Sequence, residues 1–83
     1  MYQRKVKLLI NSIEKVKRFV NINTNFIGDI DVCSDRYVID GKSIMGCFSL
    51  DLSKELEAIV TADSTEDIDR IIEEYKNAHF IVE

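Results

Sequence analysis

Apolar residues change their spacing several times along this 83-residue chain. In two segments they recur at every third or fourth position, as on one face of an amphipathic helix. In others they alternate with polar residues, as in strands with one buried face. The two helical stripes are Ile13, Val16, Phe19 and Val20, and Ile68, Ile71, Ile72 and Tyr75. The pattern predicts a mixed fold in which helices cover a sheet.

The alternating segments supply four strands. The first lies within residues 3–10, although Leu9 breaks its alternation. Residues 29–40 are predicted to form a hairpin that turns at Asp35-Arg36, and residues 55–62 form the fourth strand. Each strand has one apolar face, which has to be buried against another layer.

Serines mark the helix starts. Ser12, Ser43 and Ser64 each precede a helical segment, where a serine hydroxyl can accept a hydrogen bond from a free N–H of the first turn. The middle helix is short, from residue 44 to about residue 50. The order is therefore β-α-β-β-α-β-α, and the stable arrangement is an α+β domain with a four-stranded antiparallel sheet and the helices on one face.

Size and composition limit the class of protein. A chain of this length predicts one domain over residues 1–83. Its net charge of −4 argues against a nucleic-acid partner, whose phosphates require cations. The longest aliphatic runs are three residues, far short of the ~20 that span a membrane. No signal-peptide pattern is visible, so we expect a cytoplasmic protein without a membrane partner.

The two cysteines do not suggest a metal or redox site. Cys33 and Cys47 are too far apart in sequence for a CxxC motif. We interpret them as free thiols that pack as small apolar side chains. The sequence predicts neither a metal nor another cofactor.

The short helix carries more apolar residues than one face can bury. Ile44 and Met45 lie about 100° apart around a helix, and Phe48 follows Ile44 by one turn. An exposed cluster of these three residues would suit protein docking, and the flexible methionine can adapt to several partners. Periodicity alone leaves open the alternative that all three are core residues.

The run Lys42-Ser43-Ile44-Met45-Gly46, followed by Ser49-Leu50, resembles the regulatory-serine helix of the HPr family. HPr is the small phosphocarrier of the bacterial phosphoenolpyruvate-dependent sugar phosphotransferase system. The resemblance extends over about residues 2–77 and includes the order of the elements. It implies an open-faced β-sandwich, a partner surface around Ile44, Met45 and Phe48, and a serine at position 43 that a kinase can phosphorylate.

The family's phosphoryl-accepting motif is not kept. In the family, a histidine, an arginine and a proline stand at the start of the first helix. An ungapped count from Ser43 places Ser12 at the histidine, Glu14 at the arginine and Lys15 at the proline. A serine phosphate ester is too inert to relay the group, and Glu14 would repel a phosphate that the guanidinium would bind. We therefore interpret Ser12 as a helix cap and expect no relay through it.

The chain has one histidine, His79, near its C-terminal end. The family's phosphoryl site lies near the other end of the chain. No second chemically active residue stands near His79 in sequence. We interpret it as a solvated terminal residue.

These observations favour an HPr-like binding module that is not an enzyme and does not carry a phosphohistidine. Its partner surface would combine the Ser43 helix with the basic side of the first helix, where Lys15, Lys17 and Arg18 suit an acidic protein. A serine kinase or a transcriptional regulator would be a suitable partner, and a phosphate on Ser43 would add about −1.5 to −2 charge beside Ile44. Two alternatives remain: a phosphocarrier that uses another residue, and an interaction domain unrelated to sugar transport.

Overall fold

Strands and helices follow one another in the predicted order in the computed structural model, which describes residues 1–82. The elements are β1 (Tyr2–Leu8), α1 (Ile13–Thr24), β2 (Asp29–Cys33), β3 (Val38–Asp40), α2 (Ile44–Phe48), β4 (Leu56–Ala62) and α3 (Thr65–Asn77). The predicted bounds are close to these, although β1 ends two residues before its predicted end and α2 is shorter than expected.

The sheet is antiparallel, with the strand order β1-β4-β2-β3. β4 lies inside it, with Leu56 opposite Leu8 on one side and Val60 opposite Ile30 on the other. The β2–β3 hairpin turns where it was predicted to, and the Ser34 N–H donates to the Tyr37 carbonyl at 2.9 Å. The helices cover one face of this sheet and the other face is open, which confirms the predicted α+β architecture.

The core lies between the sheet and the two long helices. The predicted stripes are buried, with one exception in α1. Three rings pack together at the centre: the Phe19 centroid lies 5.3 Å from that of Tyr75 and 5.9 Å from that of Phe80. The exception is Ile13, which is 62% exposed. It is the first residue of α1 and precedes the first buried residue, Val16, by almost a full turn.

The C-terminal segment pairs with the end of β1, which the sequence did not predict. Ile81 lies opposite Leu8 in an antiparallel bridge. The Leu9 N–H donates to the Phe80 carbonyl at 2.8 Å, and the Val82 N–H donates to the Lys7 carbonyl at 3.0 Å. Leu9 interrupts the alternation because β1 has already ended at Leu8 and the chain then turns toward α1.

No helix within residues 1–82 has the length and apolar character that crossing a membrane requires.

His79 follows the C-cap of α3, Ala78, and has a left-handed backbone conformation with φ at 61°. Its N–H donates to the Lys76 carbonyl and the Phe80 N–H donates to the Tyr75 carbonyl, both at 3.0 Å, as in a Schellman motif. A side chain with a Cβ is strained there, and the His79 side chain is exposed. We expect His79→Gly to raise the free energy of unfolding by about 0.5–1 kcal/mol.

Urea denaturation followed by circular dichroism measures this change. His79→Ala is the control, since alanine keeps the strain and should give no stabilisation. A destabilised glycine variant would show that the imidazole makes contacts that matter for the fold.

Candidate functional site

Three apolar side chains of α2 lie on the surface, and we call Ile44, Met45 and Phe48 the docking patch. They are 38%, 77% and 37% exposed, respectively. The Ser43 hydroxyl caps the helix by accepting from the Gly46 N–H at 3.1 Å. The exposure predicted from the short helix is thus present, and the alternative that all three side chains are buried in the core is wrong.

The docking patch faces outward because the opposite side of α2 lies close to β3. A Cβ at Gly46 would come within 2.5 Å of the Ile39 side chain, so only glycine allows this approach. Cys47, next to Gly46, is completely buried. Gly46 and Cys47 therefore occupy the inner side of the helix and leave the docking patch to the outer side.

A buried polar network holds the loop that precedes α2. The Tyr75 hydroxyl donates to the side-chain oxygen of Asn23, and the Asn23 amide donates to the Gly41 carbonyl at 2.8 Å. A separate, partly buried hydrogen bond runs from the Lys42 ammonium to the Phe26 carbonyl at 3.0 Å. Since these residues come from α3, from α1 and from the loops beside them, the network fixes the position of α2 against the long helices.

We expect Tyr75→Phe to lower the free energy of unfolding by about 1–3 kcal/mol, because the buried Asn23 oxygen loses its donor. Chemical denaturation measures the change. Tyr37→Phe is the matched control, since the Tyr37 ring is 60% exposed, and should change little. Equal stabilities of the two variants would contradict the importance of the network.

Neither thiol is activated. Burial, with a smaller contribution from Asp40, raises the pKa of Cys47 from 9.0 to about 11. Burial also raises the pKa of Cys33, helped by Glu57 and Asp31. Among residues 1–82 no group of three His, Cys, Asp or Glu side chains could hold a metal ion. The residues described thus offer neither a reactive thiol nor a metal centre.

The raised pKa of Cys47 predicts a loss of stability in alkali. Above about pH 9 the unfolded chain loses the thiol proton that the folded protein keeps. The contribution of the protonated Cys47 thiol to the free energy of unfolding is therefore complete below about pH 9 and is lost as the pH rises through about 11. Chemical denaturation at several pH values should show the free energy of unfolding falling between about pH 9 and 11. In Cys47→Ala the free energy of unfolding should fall less steeply with pH. An identical slope in the variant would contradict this origin.

Ser12 caps α1 as predicted. Its backbone is extended and its hydroxyl accepts from the Lys15 N–H at 3.1 Å. Glu14 lies in the first turn, where a carboxylate favours the positive end of the helix dipole. Both residues are exposed and suit a helix start. The Ser12 hydroxyl is thus engaged as the helix cap, and Glu14 brings a negative charge to the same turn.

The basic residues of α1 are available at the surface. Lys17 and Arg18 are exposed and Lys15 is half-buried. The ion pairs found within residues 1–82 involve none of the three. Because α1 and α2 pack against each other, these cations and the docking patch belong to adjoining elements of the helical layer.

His79 is exposed just beyond the end of α3, as interpreted from the sequence. The hydrogen bond between Leu9 and Phe80 brings the end of α3 beside the segment that leads into α1. The hydrogen bonds and ion pairs found within residues 1–82 do not join the His79 side chain to Ser12 or Glu14. The exposed imidazole therefore lies at the side of the fold where the chain leads into α1.

Sequence reasoning missed Asn23 as a structural residue. The apolar stripe predicted for the first helix ends at Val20 and does not include it. Asn23 is completely buried, because it follows Phe19 and Val20 at helical spacing and lies on the apolar face. The helical spacing of Asn23 from Phe19 and Val20 was the sequence signal that could have identified it as a buried residue.

An open antiparallel sheet with its helices on one face defines the class of fold. Among solved structures, HPr-C-His from Thermoanaerobacter tengcongensis superposes with a TM-score of 0.64 at 24% identity, over 88% of this chain and 89% of that one. The phosphocarrier protein HPr from Bacillus anthracis gives 0.62 and 24%, over 84% and 90%. No family model matches the chain, and no curated protein sequence does. The chain therefore has the HPr fold, which confirms the predicted architecture.

Proposed function

We propose that this protein is an HPr-like binding module related to the phosphotransferase system, and that it docks to proteins without relaying phosphate. The observation that supports the proposal is an exposed docking patch on α2, a helix whose inner side packs closely against Ile39 of β3. The start of α1, in contrast, has a capping serine and a carboxylate. These features support recognition of a partner protein without phosphotransfer at Ser12.

Charge indicates the kind of partner. Lys15, Lys17 and Arg18 make no ion pair with residues 1–82, so their charges are available to a second protein. An acidic surface with an apolar pocket for Met45 would complement them and the docking patch. An enzyme or a transcriptional regulator of the phosphotransferase system would suit this surface.

Ser43 is the proposed regulatory position. Its hydroxyl caps α2 directly before Ile44, and a serine kinase that phosphorylated it would place about −1.5 to −2 charge beside the docking patch. The carboxylate of Asp40 already accepts from the Lys42 N–H at 2.9 Å, next to this serine. Added negative charge there would weaken docking to an acidic partner.

A competition experiment tests docking without transfer. The chain is added to a mixture of phosphoenolpyruvate, the first enzyme of the phosphotransferase system and a genuine HPr. We expect it to slow the phosphorylation of HPr in a dose-dependent way while taking up no phosphate itself. Met45→Asp should abolish this inhibition, because a carboxylate cannot be buried in an apolar pocket without a large cost.

Ile27→Asp is the matched control, since Ile27 is 83% exposed and lies outside the docking patch. It should inhibit as well as the unaltered chain. If neither the chain nor the control variant competes, docking to this enzyme is wrong. The hypothesis of an interaction domain unrelated to sugar transport would then be favoured.

The alternative of a phosphocarrier gains one supporting observation. His79 is an exposed imidazole, and the hydrogen bond from Leu9 to Phe80 holds the adjoining backbone beside the approach to α1. An imidazole is the chemical group that could accept and return a phosphoryl group. No cation is hydrogen-bonded or ion-paired to it within residues 1–82, and for this reason we favour the docking function.

A further inference from the structure

Two shallow hollows adjoin each other where the loop after α1 meets the first half of α3. Ile27 and Asp67 line both of them. The larger hollow has a volume of about 250 Å³, and its apolar floor consists of Ile22, Phe26 and Ile71. The smaller one, of about 160 Å³, lies toward the end of β4. We call the two hollows together the Ile27 groove.

The loop that carries Ile27 is held on both sides of this residue. The Ile27 side chain is 83% exposed. Before it, the Phe26 carbonyl accepts from the Lys42 ammonium at 3.0 Å. After it, Gly28 lies so close to β4 that a Cβ there would collide with the Thr61 carbonyl. Because both neighbours are fixed in this way, the exposed apolar side chain is a constant feature of the groove.

Carboxylates surround the apolar floor. Four of them line the two hollows: Asp29, Asp63, Asp67 and Glu74. Asp67 pairs with Arg70 at 3.6 Å, whereas the ion pairs found within residues 1–82 do not include the other three. Besides Arg70, the residues that line the hollows contribute one cation, the amino group of Met1. The rim of the Ile27 groove therefore has a net negative charge.

An apolar floor inside an acidic rim is complementary to an apolar side chain that is flanked by lysine or arginine. The larger hollow, at about 250 Å³, is smaller than the roughly 300 Å³ at which small-molecule sites usually begin, and it suits a single large side chain. The acidic partner that suits the docking patch would be repelled by this rim. The two surfaces therefore select partners of opposite charge.

We propose that the Ile27 groove binds a basic peptide segment of a partner protein. An apolar residue of the segment would contact Ile27 and the floor of the groove, and its lysines or arginines would lie against the acidic rim. The contact is small, so we expect a Kd on the order of 0.1 mM. The proposal goes beyond docking to the phosphotransferase system and does not depend on it, because Ile44, Met45 and Phe48 do not line the groove.

Titration of the isotopically labelled chain, followed by NMR, tests the proposal. The probe is a short peptide in which two leucines, one helical turn apart, stand among lysines. We expect saturable shifts of the amide signals of Ile27, Asp67 and Ile71, and added salt should weaken the binding. A peptide with glutamates in place of the lysines should not bind. A peptide with serines in place of the leucines should bind at least about tenfold more weakly.

Variants of the chain separate the apolar contact from the charges. Ile27→Ser should weaken binding of the leucine–lysine peptide about tenfold, because its apolar contact is lost. Met45→Ser is the matched control, since Met45 is 77% exposed and lies outside the groove, and it should bind as the unaltered chain does. Glu74→Lys should weaken binding about threefold or more, because an attraction becomes a repulsion. Glu55→Lys makes the same change of charge beyond the other end of β4 and should have little effect.

Circular dichroism checks that each variant is folded. The absence of saturable shifts would overturn the proposal, as would shifts confined to residues outside the Ile27 groove. Equal binding of the serine peptide, or unchanged binding by Ile27→Ser, would also overturn it. Either result would show that the acidic chain attracts lysines without using the groove.

Discussion

Replacing Phe19 by alanine is expected to lower the free energy of unfolding by about 3–5 kcal/mol. The Phe19 side chain is completely buried between the long helices, and its ring contacts both Tyr75 and Phe80. Alanine would remove these contacts and leave a cavity that the surrounding rings can fill only in part. A loss of this size is a large share of the ~5–15 kcal/mol that stabilises a typical domain.

Urea denaturation followed by circular dichroism measures this loss. Ile13→Ala is the matched control in the same helix, because Ile13 is 62% exposed and should contribute little. If the two alanine variants had similar stabilities, the aromatic cluster would not be the centre of the core.

Introducing a histidine and an arginine at the start of α1 is expected to create a phosphoryl acceptor at position 12. In the variant Ser12→His with Glu14→Arg, an imidazole would stand at the start of α1 and a guanidinium would replace the carboxylate. The N–H groups of the first turn and the helix dipole already favour an anion there. Phosphoenolpyruvate and the first enzyme of the phosphotransferase system should then give an acid-labile phosphoryl adduct.

The single and combined variants separate the contributions of these groups. Ser12→His alone should be labelled roughly tenfold to a hundredfold more slowly, because a charge-assisted hydrogen bond contributes about 1.5–3 kcal/mol. Adding Met45→Asp to the restored variant should abolish labelling by removing docking. A folded double variant that stays unlabelled would contradict the view that the docking surface has been kept.

Most of the fold could be predicted because each element carries its own local signal. The alternation in Leu56–Ala62 and the stripe in Thr65–Asn77 both reflect one buried face, and the structure buries those faces. Ile13 was placed wrongly, because the spacing cannot show where a helix begins to contact the sheet. The pairing of Ile81 with Leu8 was missed because it joins the two ends of the chain and has no local pattern.

The candidate site was only partly predictable. The docking patch was expected because three large apolar residues crowd a short helix, and the sequence resemblance pointed to the same surface. The network of Tyr75, Asn23 and Gly41 was not expected, since it joins residues far apart in sequence. The position of His79 beside the approach to α1 depends on a backbone hydrogen bond that composition and spacing do not encode.

The central claim is that this HPr-fold protein recognises partners but does not relay phosphate. Incubating the unaltered chain with radiolabelled phosphoenolpyruvate and the first enzyme of the phosphotransferase system tests it most directly, with His79→Gln and Ser12→Ala alongside. We predict no acid-labile label on any of the three chains, while a genuine HPr in the same mixture is labelled. An acid-labile adduct on the unaltered chain that disappears in His79→Gln would contradict the claim and identify the protein as a phosphocarrier.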